Sequence, residues 1–297
     1  MPPAPSRTEL LAFLALLVMT ATWGSTFFMI KDVVTRLPVS DLLAVRFAIA
    51  SAALLIIAGR RLRMSREVVR RGILLGVLYG LAQLLQTAGL AHTAASVSGF
   101  ITGLYVVATP LLSAAILRTR IPASTWVAAG LATVGLGVLS LRGFSIGYGE
   151  LLTLLSAMIY AGHIVALGRL STRETAMSLS LVQMITITVI CGLAALPDGI
   201  ALPASAADWW IVVYLAVVAG AMTMVLQTWA QARIDATRAA VIMAMEPVWA
   251  AGFAVAFGSE SMSVRMVLGG AAVLAAMYLV ELAPRCGSGR TYVRREL

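Results

Sequence analysis

The two halves of this 297-residue chain repeat each other, and each half holds five apolar spans, an odd number. Trp23-Gly24-Ser25-Thr26 in the first span aligns with Tyr160-Ala161-Gly162-His163 in the sixth, 137 positions later. The same offset carries Arg46 onto Gln183 and Pro110 onto Pro247, while Gln86-Thr87 falls on Gln227-Thr228 at an offset of 141. A unit that crosses a membrane an odd number of times must reinsert upside down when it is duplicated. Inverted repeats of this kind build mostly secondary transporters, so the pattern bears on function as well as on fold.

With 60% hydrophobic and 12% charged residues, the chain lies outside the range of soluble globular domains. Ten apolar runs stand at roughly 10–31, 39–59, 72–91, 97–117, 123–141, 149–168, 176–196, 208–230, 238–258 and 264–283. A helix needs about 20 such residues to cross the hydrocarbon core. None of these runs alternates apolar with polar residues, which excludes outer-membrane barrel strands. The first run is too long, and too closely followed by the second, for a cleaved signal peptide. The expected fold is an all-α membrane protein, with ten transmembrane helices as two inverted five-helix repeats around a central cavity. Residues 1–143 form the first repeat, 144–284 the second and 285–297 a cytoplasmic tail. The spans leave no room for a soluble catalytic domain.

The net charge of +9 is distributed as membrane topology requires and not as a nucleic-acid surface. On the side of the amino terminus stand Arg7, the six arginines from Arg60 to Arg71, Arg118, Arg120, Arg169, Arg173, Arg233, Arg238 and the four arginines from Arg285 onward, seventeen in all. The opposite side carries four: Lys31, Arg36, Arg142 and Arg265. The excess of positive charge faces the cytoplasm, so both termini are expected there, in the inner membrane of the cell. The basic stretch between spans two and three then reads as topology and anionic-lipid contact. Cys191 lies in a span and Cys286 in the tail, a placement that gives no disulfide.

The loops are short, so consecutive helices are antiparallel neighbours. Gly72, Gly76 and Gly80 recur every four residues, and further glycines crowd the fifth and tenth spans. Small residues at this spacing let helix backbones approach where lipid gives no hydrophobic drive. The fifth and tenth helices are expected to form a peripheral scaffold or a dimer face, in a monomer or weak homodimer.

Polar side chains inside a membrane are expensive and mark function by default. Those within the spans are Arg46, His163 and Glu246, with Gln83, Gln86, Gln183 and Gln227 as neutral companions. At a rise of ~1.5 Å per residue, Trp23 and Arg46 fall near one face and His163, Gln183 and Glu246 near the other. Tyr79, Gln83, Thr102 and Tyr105 lie between these layers, an arrangement suited to a pathway with an outer and an inner gate. Arg46 either meets a substrate carboxylate or snorkels toward the outer surface. His163 carries a proton, binds substrate or donates to a backbone carbonyl. Glu246 precedes Pro247, which kinks the ninth helix, and it serves as a gate, a proton site or a hydrogen-bonded brace. The aromatics Trp23, Tyr79, Tyr105 and Tyr160, with Met243 as adaptable lining, suit a zwitterion with a hydrophobic side chain and suit a polyanion badly.

No His-Glu-x-x-His, Gly-x-Ser-x-Gly or phosphate-cradling loop is present, and two histidines offer little for a metal site or a triad. Neither an enzyme nor a cofactor is implied. Trp23-Gly24-Ser25-Thr26-Phe27 followed by Lys31 resembles the first-span motif of the EamA-type drug/metabolite transporters. Gly99-Phe100-Ile101-Thr102-Gly103-Leu104-Tyr105 with Pro110 resembles their fourth span, and Glu246-Pro247 their ninth. The resemblance covers residues 9–283. It implies a ten-helix basket of two inverted repeats, and within the family the chain looks most like the YddG-type amino-acid exporters. The expected substrate-binding residues are Trp23, Tyr79, Gln83, Thr102, Tyr105, Tyr160, His163 and Met243. Gating or coupling is expected of Arg46, Gln183, Glu246, Pro110 and Pro247. The expected activity is export of hydrophobic, aromatic and other neutral amino acids. The alternatives are a multidrug or cationic-compound exporter using Glu246, a sugar-phosphate or nucleotide-sugar carrier, and an intramembrane enzyme or passive channel-like scaffold.

The charge asymmetry makes a testable prediction. Cysteines placed at Ser65 and Ser288 should react with an impermeant thiol reagent from the cytoplasmic side alone, and one at Ser145 from the outside alone. Labelling of positions 65 and 145 from the same side would contradict the span count.

Overall fold

Ser6 opens the first helix with a capping box: its side chain accepts from the Glu9 amide at 3.3 Å, and Glu9 Oε2 accepts from the Ser6 amide at 3.0 Å. Ser65, Ser205 and Asp235 cap later helices by the side chain alone, accepting from the amides of Val68, Asp208 and Arg238. The computed structural model describes residues 6–59, 62–93, 95–117, 122–140, 147–253, 255–256 and 263–282. Among these, the regular elements are all helical: α1 (Arg7–Gly24), α2 (Thr26–Val33), α3 (Val39–Ala58), α4 (Arg66–His92), α5 (Ala95–Gly103), α6 (Tyr105–Leu117), α7 (Ala123–Ser140), α8 (Tyr148–Leu170) and α9 (Ala176–Ala195). After a short 3-10 turn follow α10 (Ala206–Ala216), a π-helical turn over Val217–Met222, α11 (Thr223–Gln231), α12 (Ala236–Met243), α13 (Glu246–Phe253) and α14 (Val264–Leu282). The tail from residue 285 and the loop residues Arg60, Arg61, Arg118, Arg120, Arg142 and Ser145 lie outside the described residues.

Six helical runs among the described residues are long and apolar enough to cross a membrane: Arg7–Val33, Val39–Ala58, Arg66–His92, Tyr148–Leu170, Ala176–Ala195 and Ala206–Gln231. The chain is thus a multi-pass, all-helical membrane protein. Helices α7 and α14 stand where the fifth and tenth spans were read. The fourth and ninth spans are not single helices. The fourth breaks at Leu104, directly after Gly103. The ninth breaks at Ala244 and Met245, just before Pro247, where proline removes a backbone donor.

Close crossings hold the bundle together. Helix α4 packs on both α8 and α9, and α3 packs on α9. The Gly72-Gly76-Gly80 stripe faces α9, where a Cβ on Gly72 or Gly76 would lie 2.6 Å from Val182 or Thr186. Helices α7 and α14 pack on each other, with Gly135 against the Gly269 carbonyl. Their outward residues Val127, Val134, Val267 and Leu268 are exposed apolar surface. At one end of the bundle, Lys31 Nζ donates to the carbonyls of Leu90, Ala91 and Thr93 at 2.7, 3.2 and 2.8 Å. It therefore satisfies the last turn of α4 with a charge of the sign that a helix carboxyl end favours. Arg36 at the same end joins Asp32 to Asp208, and their carboxylates raise its pKa above the usual range.

Candidate functional site

A cavity with about 600 Å³ of empty space runs between α1, α2, α3, α4, the α5–α6 break, α8, α11 and the α12–α13 break. It extends from Ile30 and Leu90, at the Lys31 end, to Ile164, Gln227 and Met243 deep in the bundle. Trp23, Phe27, Tyr79, Tyr105 and Tyr160 provide its aromatic wall. Tyr79 meets Tyr160 edge to face at 5.6 Å between ring centroids and Phe47 at 6.4 Å.

A hydrogen-bond chain fixes that wall. Gln83 Nε2 donates to the Tyr160 hydroxyl at 2.6 Å, the hydroxyl donates to Gln86 Oε1 at 3.0 Å, and Gln86 Nε2 donates to Thr102 Oγ1 at 3.1 Å. Three helices are joined by this chain. Tyr105 and Gln227 also line the cavity, and among the described residues the Tyr105 hydroxyl and Gln227 Oε1 are buried with no hydrogen-bond partner.

Below the cavity the helices close. His163 Nε2 lies 2.8 Å from Gln183 Oε1, and the His163 ring abuts Tyr79 at 5.2 Å. Gln231 Nε2 donates to the Ile164 carbonyl at 3.0 Å. His163, Gln183 and Gln231 are fully buried. His163 thus stands behind the cavity and does not line it in this conformation.

Arg46 does not snorkel. It is 3% exposed, with Nε on the Leu215 carbonyl at 3.0 Å and Nη2 on the Ala219 carbonyl at 3.4 Å. The π-helical turn makes those carbonyls available, because its widened spacing disturbs the regular ladder. Trp23 Nε1 uses the same turn, donating to Ala219 O at 3.2 Å and Thr223 Oγ1 at 3.1 Å.

Glu246 is 6% exposed and lines the cavity, and its carboxyl makes no hydrogen bond or ion pair among the described residues. No side-chain bond from it braces the Pro247 break. What positions it is backbone packing. A Cβ on Gly24 would lie 2.7 Å from Trp249 Cβ, 2.8 Å from the Ala250 amide nitrogen and 2.9 Å from the Glu246 carbonyl oxygen. Only glycine lets α1 approach α13 this closely.

Of the residues read from the sequence, Trp23, Arg46, Tyr79, Gln83, Thr102, Tyr105, Tyr160, Met243 and Glu246 come together in the cavity. Pro110 lies inside α6, six residues past the break, and Pro247 in the first turn of α13; neither lines the cavity, and neither does Gln183. Sequence reasoning passed over Thr26, Phe27, Ile30, Thr87, Leu90 and Ile164. Three of these follow Trp23 at helical spacing, at 26, 27 and 30, and that spacing is the signal that could have found them.

A helical membrane bundle around a deep aromatic cavity is the architecture of a membrane transporter. The chain belongs to the EamA-like transporter family, whose model matches residues 10–141 and again 147–282. It is 27% identical to an uncharacterized transporter of Archaeoglobus fulgidus over 275 residues, covering 92% of this chain and 87% of that one. A solved structure titled only as the crystal structure of a protein superposes with a TM-score of 0.78 at 20% identity, covering 95% of this chain and 99% of that one. That likeness shows a shared fold.

The Gly24 crossing should be the least tolerant point of the site. Gly24→Ala is expected to abolish transport and to lower the thermal unfolding midpoint in detergent, since overpacking costs about 1–3 kcal/mol. Gly162→Ala, with nothing within 4 Å of the added carbon, should unfold as wild type does. A Gly24→Ala protein of wild-type stability and activity would contradict the packing argument.

Proposed function

We propose that this protein exports hydrophobic, aromatic and other neutral amino acids by alternating access. In this reading, ten spans form two inverted five-helix repeats, 1–143 and 144–284, in the inner membrane with both termini cytoplasmic. The aromatic cavity carries the reading: Trp23, Phe27, Tyr79, Tyr105 and Tyr160 wall it, and a mostly apolar site with a few placed polar groups matches a small solute with a hydrophobic side chain. Two contacts support the inverted repeat. Ser51 and Thr188 hydroxyls lie 3.0 Å apart, and a Cβ on Gly135 would lie 2.9 Å from that of Ala272. Both pairs are separated by the repeat offset, so each residue meets its own equivalent, as at a two-fold axis. Trp23 and Tyr160, also equivalent, each hydrogen-bond to the third span of the opposite half.

On the charge asymmetry the Lys31 end lies outside, and the cavity reaches toward that side. The His163–Gln183 and Gln231–Ile164 bonds then form the inner gate, which must part when the carrier reverses. The breaks preceding Pro110 and Pro247 supply the bending points, and His163 meets substrate on the inner half of the path. The unit is a monomer or weak homodimer.

Tyr79→Ala and Trp23→Ala should each raise the apparent KM for phenylalanine in proteoliposomes, since loss of an aromatic wall removes about 1–3 kcal/mol of contact. Trp209→Ala, partly exposed at the start of α10, should transport normally. Equal behaviour of all three variants would contradict the cavity assignment.

A further inference from the structure

We infer that the cavity holds its amino-acid substrate by both charges, the carboxylate on Arg46 and the ammonium on Glu246, and so selects zwitterions over solutes carrying one charge alone. This inference rests on the amino-acid reading above and assigns the poles of that same site.

Arg46 is a base and Glu246 an acid; both line one cavity and are almost fully buried. Neither takes part in an ion pair among the described residues. The pairs found there join Arg36 to Asp32 and Asp208, Arg63 to Glu174, and Arg71 to Glu67. An unpaired charge at such depth is costly, and a carrier must leave it unpaired if the solute is to supply the partner.

The local geometry matches that role at each pole. Two neutral carbonyls fix the Arg46 guanidinium without neutralising it, and its Nη1 donates to nothing among the described residues. The Glu246 carboxylate accepts no hydrogen bond there, while the Gly24 crossing fixes its backbone. Anchored frames with free charged ends are what a preorganised site requires.

A zwitterion supplies both countercharges and adds no net charge to the membrane interior. A lone cation pairs Glu246 and leaves Arg46 buried and unpaired. A lone anion does the reverse. Discrimination therefore comes from the charge left unsatisfied, the kind of penalty that separates substrates most sharply. The aromatic wall receives the side chain and tolerates variation in it.

Competition against labelled phenylalanine uptake into proteoliposomes tests this. Phenylalaninamide keeps the ammonium without the carboxylate, and 3-phenylpropionate keeps the carboxylate without the ammonium. On wild-type protein each should compete at least tenfold more weakly than phenylalanine, a result that needs no variant to fold. Arg46→Gln should raise the KM for phenylalanine at least tenfold and narrow the gap to phenylalaninamide alone. Glu246→Gln should narrow the gap to 3-phenylpropionate alone. Variants are compared after gel filtration and a thermal scan confirm folding. Phenylalanine uptake with half-analogues competing equally well would overturn the pole assignment and leave the amino-acid reading standing. So would a Glu246→Gln variant that loses only phenylalaninamide binding, which would make Glu246 an anchor for cations. Wild-type protein that moves no neutral amino acid would overturn both.

Discussion

Hydrocarbon offers no hydrogen-bond partner, so a helix that breaks inside a membrane must have its freed backbone groups satisfied by protein. Among the described residues, the helices are broken or distorted at the end of α1, at Leu104, at the π-helical turn over Val217–Met222 and ahead of α13, and polar side chains fill the gap at the first and third of these. At the end of α1, the Ser25 hydroxyl donates to Thr22 O at 2.7 Å and the Thr26 hydroxyl to Trp23 O at 2.8 Å. At the π-helical turn, the Ala219 carbonyl accepts from Trp23, Arg46 and Thr223. The cavity lies where these irregular segments meet, because that is where backbone and side-chain polarity can face inward at tolerable cost.

The same constraint explains why the two most recognisable motifs stand far apart in sequence and together in space. Trp-Gly-Ser-Thr is a single device: Trp23 forms wall, Gly24 admits α13, and Ser25 and Thr26 repair the helix end. Glu-Pro completes it from the other half, with Pro247 starting α13 and Glu246 facing the cavity. Lys31, five residues past Thr26, ends α4 by holding its last carbonyls. None of these roles needs a bound metal or a cofactor. Together they build one cavity wall from both halves of the chain, with Arg46 and Glu246 facing the same space.

Much of this was legible in the sequence, because hydropathy reports span length directly. Six of the spans stand, among the described residues, as helical runs long enough to cross: α3, α4, α8 and α9 as single helices, and α1–α2 and α10–α11 as interrupted ones. The breaks were less legible. Pro247 announced one of them, but Pro110 sits within a continuous helix and the fourth span breaks at Leu104 beside Gly103. The π-helical turn has no proline and leaves only Gly220 as a trace. For Arg46 the sequence left open a substrate carboxylate or snorkelling, because its depth permitted either; the carbonyls of Leu215 and Ala219, at and just before that turn and invisible in the sequence, hold it inside. Polar members of the cavity stood out against an apolar background. Phe27, Ile30, Leu90 and Ile164 did not, since an apolar residue facing a cavity and one facing lipid have the same chemistry.

A carrier binds its solute on one side at a time, and that property separates this account from a channel or a scaffold. The most direct measurement is counterflow: proteoliposomes loaded with unlabelled phenylalanine are diluted into a trace of labelled phenylalanine. The account predicts a transient accumulation of label above its equilibrium level, followed by decay. Label that rises monotonically to equilibrium, without overshoot, would contradict it.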